Sequence, residues 1–256
     1  MSVIAVLAPG PASAVLRRSM PRAGIRLVRC RGADALWRLA STRLLDAVIL
    51  SPLGAGFAVL RDVREQLPAL PVVAWAPFRA DDGEALAACR EGGVAALVVE
   101  GVDDAVAGEL VSRATLAAER RRLLADGPRV LRLTEPLQRR AWDLVVRDVE
   151  VPLRTEQIAS RLRVSREHLS RQFGAGGAPN LKRVIDLARV ACAAQLLQNP
   201  RTPPPVVAEI LRYASPSHLA ATVRRIADVA VAGLAELGPQ GVLAAFVRGR
   251  TRSRLL

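Results

Sequence analysis

The sequence predicts a chain in two parts: an α/β domain with a doubly wound, five-stranded parallel sheet, then an all-α domain carrying two helix-turn-helix units. Three observations predict it. Short aliphatic runs alternate with helical stretches through the first half, and these runs are apolar throughout, as strands buried on both faces require. The second half has no strand pattern, only successive amphipathic helical segments, and its phrase IASRLRVSREHL is echoed about fifty residues later as VAEILRYASPSHL. Charge is also divided unevenly: residues 1–126 carry 16 arginines against 14 acids, a net +2, whereas the remainder of the +13 total, +11, lies in residues 127–256.

In the first half, residues 3–8 form an aliphatic run ended by Pro9 and Gly10, and residues 24–30 form another after a helical patch at 12–20. A helical stretch over 33–41 leads into DAVIL at 46–50, closed by Ser51 and Pro52. A helix near 57–66, a strand at 71–76, a helix near 82–91 and a strand at 95–99 follow, with a last helix from about Asp103 to Arg122. With 51% hydrophobic but only 3% aromatic residues, the core has to be aliphatic.

The order of these elements, with the phrases DAVILSP, PVVAWAP and GGVAALVVEG, resembles the receiver domain of two-component response regulators. That resemblance implies an acidic pair after the first strand, a phosphate-accepting Asp after the third, a hydroxyl after the fourth and a Lys after the fifth. The chain has Ala8 and Pro9, Ser51, Ala76 and Glu100 in those places. Without the acids no magnesium site is expected, because that hard cation needs charged oxygen ligands; without the Asp no acyl phosphate forms. The expectation is a pseudo-receiver, independent of phosphorylation, that pairs subunits as a homodimer or senses a signal. Ser51 sits in no GxSxG context and neither His lies in this half, so no nucleophilic site is expected. Cys30, Cys89 and Cys192 are too scattered for a disulfide framework or a zinc site. No catalytic residues, cofactor or metal are therefore expected. No run of 18 apolar residues and no basic segment before an apolar N-terminus occur, which predicts a cytoplasmic protein without a membrane partner.

Asp126, Gly127 and Pro128 read as a helix break, placing the domains at 1–126 and 127–230, with a C-terminal extension at 231–256. In the second domain residues 135–149 predict an amphipathic helix with Leu137, Ala141, Leu144 and Val145 inward. Thr155 is then a candidate N-cap for a helix with Ile158, Ala159 and Leu162 on one face, and Ser165 caps a second helix that buries Leu169 and Phe173. The glycine cluster at 174–177 is a turn, lacking the GK[ST] ending of a phosphate loop. Asn180 caps a connector helix of about twenty residues, roughly 30 Å long, and the echo unit follows. One turn of B-DNA is roughly 34 Å, so such a connector offers two recognition helices to successive major grooves. Together with the net +11 charge, this predicts double-stranded DNA as the partner.

Residues 133–228 resemble the DNA-binding domain of AraC/XylS-type transcription regulators, on the phrases IASRLRVSREHLSRQF, LKRVIDLARVACAAQLLQNP and VAEILRYASPSHLAATVRR. The resemblance implies that Arg166, Glu167, Ser170 and Arg171 face bases and backbone in one groove, and Pro216, Ser217, Ala220 and Ala221 in the next, with Arg224 and Arg225 on phosphates. His168 and His218 fall where that family carries an aromatic or His beside the core. Arg163 and Arg212 stand where the family has Gly, and Val223 where it has Phe. Ala220 and Ala221 lack long donors, so sequence reading is expected to rest on the first unit. The closing stretch VAGLAELGPQGVLAAF departs from the family, and Arg248, Arg250, Arg252 and Arg254 read as an irregular basic tail. The expected function is a sequence-specific transcription regulator with no identifiable small-molecule effector. Two alternatives stand beside it: an adaptor scaffold that has lost specific DNA binding, and a phosphorylated response regulator.

Overall fold

The computed structural model describes residues 2–8, 10–20, 25–174 and 177–252. They form two compact units, Met1–Glu119 with Asn199–Arg201, and Arg120–Gln198 with Thr202–Leu256.

The first unit runs β1 (Ser2–Val6), α1 (Gly10–Ser19), β2 (Ile25–Arg29), α2 (Ala33–Thr42), β3 (Leu45–Leu50), α3 (Gly56–Gln66), β4 (Val72–Ala76), α4 (Gly83–Glu91), β5 (Ala96–Val99) and α5 (Ala107–Arg113). All pairings are parallel, in the order β2-β1-β3-β4-β5. Because side chains alternate across a strand, the aliphatic runs feed two cores. Val3, Ala5, Val48, Leu50, Val72 and Ala74 pack with Leu36 of α2 and Leu60 of α3. Ile4, Val6, Ala47, Ile49, Val73 and Trp75 pack with Leu16 of α1 and Val111 of α5. This is the predicted doubly wound sheet.

The last predicted helix of this half is divided, and local hydrogen bonds explain why. Asp103 accepts the Val99 N–H at 2.7 Å and Asp104 the Gly101 N–H at 3.0 Å, which holds residues 100–106 in turns and delays α5. Thr115 Oγ1 then accepts the Ala118 N–H at 3.1 Å, capping a new helix, α6 (Leu116–Leu123).

The second unit contains α7 (Gly127–Val130), α8 (Pro136–Arg147), α9 (Thr155–Leu162), α10 (Arg166–Gly174), α11 (Leu181–Leu196), α12 (Pro204–Ile210), α13 (Pro216–Ala227) and α14 (Leu234–Arg252). The predicted break falls where α6 ends at Leu123, and Gly127 and Pro128 then open the next helix, α7; proline is tolerated in a first turn, where its missing N–H has no intrahelical role. A Cβ on Gly127 would lie 2.2 Å from Trp142 Cζ2, so glycine permits close packing there. The predicted stripe on α11 widens to burial of 13 of its 16 residues, since α8, α13 and α14 all pack against it. Arg120, which reads in sequence as one of three arginines closing a helix, is buried; it donates to the Val146 carbonyl at 3.4 Å, Cys192 Sγ at 3.2 Å and Gln195 Oε1 at 3.2 Å.

The irregular tail is a further correction. Helix α14 continues through Arg252, broken only at Gly238, whose φ of 60° and ψ of 178° suit glycine; Arg254 lies outside the described residues. Val242, Leu243 and Phe246 are buried, and the Arg183 guanidinium lies 4.9 Å from the Phe246 ring centroid. The apolar period within the closing stretch is what makes it part of the core.

Candidate nucleic-acid interface

The echo in sequence is an echo in hydrogen bonds. At the end of α9 the Val164 N–H reaches the Ala159 carbonyl at 3.0 Å and the Arg163 N–H reaches Ser160 at 3.1 Å. At the end of α12 the Tyr213 N–H reaches Ala208 at 2.8 Å and the Arg212 N–H reaches Glu209 at 2.9 Å. Both are Schellman closures, each made by an arginine in the left-handed region, φ 57° at Arg163 and 54° at Arg212. Next, Ser165 Oγ accepts the His168 N–H and Ser215 Oγ the His218 N–H, each at 3.1 Å. The second turn carries one extra residue between closure and cap.

At the first unit's entry the cap is Arg154, not Thr155. Gln157 Oε1 accepts the Arg154 N–H at 2.8 Å, which fixes the helix start one residue early. Asp148, beyond the end of α8, anchors the unit by accepting from Arg147 at 2.9 Å and from Arg161 at 2.6 Å. Burial pushes its carboxyl upward, but the hydrogen bond and charge of Arg147, with the charge of Arg161, outweigh this and hold it below the ordinary carboxylate value.

Within the second helix of each pair the division of faces is clean. Leu169 and Phe173 are buried on α10, and Leu219, Val223 and Ile226 on α13. Arg166, Glu167, Ser170 and Arg171 are exposed together on α10, as are Pro216, Ser217, Ala220, Ala221, Arg224 and Arg225 on α13. Arg166 Nε lies 3.1 Å from Glu156, and Arg225 is bonded to Asp186 at 2.8 Å. Arg171 and Arg224 pair with no acid among the described residues. His168 and His218 are exposed rather than packed into the core, although the His218 ring meets Tyr213 edge-on, with centroids 5.5 Å apart.

Connector α11 is shorter than expected: its 16 residues span about 24 Å at 1.5 Å per residue. Alone it does not cover one turn of B-DNA, roughly 34 Å.

Sequence reading missed the groups beneath this face. Arg189, nearly buried, donates to the Leu211 carbonyl and lays its guanidinium 4.0 Å from the Tyr213 ring centroid. Burial pushes the Tyr213 phenol up to about 12, Asp186 adding to the shift and Arg189 opposing it. An Arg and a Tyr 24 positions apart carry no local signal of such a stack.

In the first unit, Ala8, Ser51, Ala76 and Glu100 lie at the carboxyl ends of β1, β3, β4 and β5, while Pro9 is outside the described residues. Glu100 Oε2 accepts from Trp75 Nε1 at 3.0 Å. A Cβ on Gly56 would stand 1.7 Å from the Ser51 carbonyl oxygen, so the start of α3 closes tightly on that position. Cys30, Cys89 and Cys192 are buried, and burial pushes the Cys30 and Cys89 thiols up. Among the described residues no cluster of three or more His, Cys, Asp or Glu is placed to hold a metal, and no single helix is long and apolar enough to cross a membrane.

No protein-family model and no curated protein sequence matches the chain. Among solved structures, it is similar to full-length FixJ from B. japonicum at 16% identity, covering 73% of this chain and 95% of that one with a TM-score of 0.37. RcsB from Salmonella enterica serovar Typhimurium, solved bound to promoter rprA, is 14% identical over 73% of this chain and 98% of that one, TM-score 0.38. A second Salmonella typhimurium RcsB structure is 16% identical over 71% of this chain and 97% of that one, TM-score 0.36. Likeness this distant leaves the functional reading to the chain's own residues.

Proposed function

We propose that the protein is a sequence-specific DNA-binding transcription regulator of AraC/XylS type, not an enzyme. The carrying observation is the repeated device: two helix pairs with the same Schellman closure and the same serine cap, each exposing one face of its second helix. The +11 charge of this half supports it, because each neutralised phosphate releases counterions. On α10, Arg171 reads base edges, with Arg166, Glu167 and Ser170 beside it. The short side chains of Pro216, Ser217, Ala220 and Ala221 let α13 approach closely, touching thymine methyls while Arg224 and Arg225 hold phosphates. The N-terminal sheet domain pairs subunits or senses a signal without phosphorylation, since Ser51 and Glu100 replace the acceptor and the lysine.

Selection of bound fragments from random DNA tests the reading, and enrichment of one sequence is expected. Arg171→Ala should then lose about 1–3 kcal/mol and relax the preference, while Arg224→Ala should weaken all duplexes alike and lower the salt slope by about one. Equal losses on selected and random DNA for both variants sink the roles assigned. The alanines of α13 favour one other reading, an adaptor scaffold, which predicts no enrichment at all.

A further inference from the structure

Within the helical unit, a cleft of about 410 Å³ is lined by residues of both helix pairs and of the connector. Three helices present their starts to it: α9 through Arg154 and Thr155, α11 through Lys182, and α13 through His218. Each start carries the positive end of a helix dipole, although caps already take an N–H at two of them: Asn180 accepts from Arg183 on α11 and Ser215 from His218 on α13. Lys182 stands in the first turn of α11, which contains no acid, so a cation occupies the end of the helix that favours an anion.

The acids on the lining are already engaged. Glu156 faces Arg166 at 3.1 Å and Asp186 accepts from Arg225 at 2.8 Å. Arg154, Lys182 and Arg189 therefore supply uncompensated positive charge. Arg189 is the telling member: it is only 8% exposed and is held by the Leu211 carbonyl and the Tyr213 ring, yet its Nε–H is buried without an acceptor and no carboxylate pairs with it among the described residues. A buried guanidinium is ordinarily paired or fully hydrogen-bonded.

We propose that this cleft is a phosphate-group site, its tetrahedral oxyanion held by Arg189 and Lys182 where the three helix starts converge. Its volume exceeds that of a bare ion and admits a phosphodiester. Two sources share this chemistry, the DNA backbone passing between the recognition helices and a free phosphate; the first rests on the DNA-binding reading above.

The test uses the full chain and two variants, Lys182→Gln, at an exposed position, and Arg189→Lys, with thermal melts establishing that both are folded. Inorganic phosphate is titrated calorimetrically at constant ionic strength, and duplex binding is measured as a function of salt. If the DNA backbone is the source, Lys182→Gln weakens selected and random duplexes by the same factor, about tenfold, with the salt slope lowered by about one. If free phosphate is the source, it binds the wild-type chain saturably, at least tenfold more weakly in both variants, while duplex affinity is unchanged. Wild type and variants that bind both probes alike overturn the site. Should the wild-type chain bind no duplex, the DNA-binding reading fails, and the phosphate titration still decides the cleft: saturable binding lost in the variants supports it, and no binding refutes it.

Discussion

Replacing Arg163 by glycine should stabilise the helical unit, because the closure of α9 holds a residue with a Cβ at φ 57° and ψ 45°. That conformation costs an L-residue about 1–2 kcal/mol. Glycine removes this cost but gains roughly 0.5–1 kcal/mol of disorder in the unfolded chain, so the net gain is about 0.5–1 kcal/mol. Arg212, at φ 54° in the second closure, offers the same gain. The two lie in separate turns, and their effects should add. For a unit of this size the double variant should raise Tm by roughly 3–8 °C. Thermal and urea unfolding followed by circular dichroism measure it, with Arg163→Ala as the control: alanine keeps the Cβ and removes the charge. An alanine variant as stable as the glycine one would mean that relief of charge repulsion, not of backbone strain, was the source. A destabilised glycine variant would refute the argument outright.

Ser165→Ala and Ser215→Ala should each cost about 1 kcal/mol as lost helix caps and about 2 kcal/mol together; one large and one negligible loss in urea unfolding would show that the two turns are not equivalent. Phe246→Ala should cost about 3–5 kcal/mol, whereas unchanged stability would mean that α14 does not seal α11. Tyr213 is the only tyrosine, so its phenolate absorbance titrates without interference and should rise near pH 12 rather than 10. Since the folded value is the raised one, roughly 2–3 kcal/mol of stability is present below pH 10 and is lost as pH climbs toward 12. A midpoint near 10 in the folded protein would contradict the buried stack on Arg189.

Much of the architecture was legible because it depends on near neighbours in the chain. The continuous aliphatic runs could form only strands covered on both faces, and Ser165 and Asn180 announced helix starts through bonds to N–H groups three residues on. The repeat was legible too, down to Arg163 and Arg212 standing at matching turns, although their left-handed backbone came from the structure. Local reading failed where a single side chain outbid the pattern: Thr115 and Asp103 divide a helix that periodicity ran together, and Gln157 moves the start of α9 to Arg154.

By itself, the sequence determined the alternation of strands and helices, the location of the positive charge, the two helix-turn-helix pairs and the absence of a receiver's acids. Tertiary structure alone decided that the apolar period of α14 belongs to the core, that Arg120 and Arg189 are buried, and that the starts of α9, α11 and α13 meet at one cleft. The physical reason is range. Propensity, capping and periodicity act within about one turn, whereas burial and the convergence of dipoles depend on which distant segments the packed core brings together.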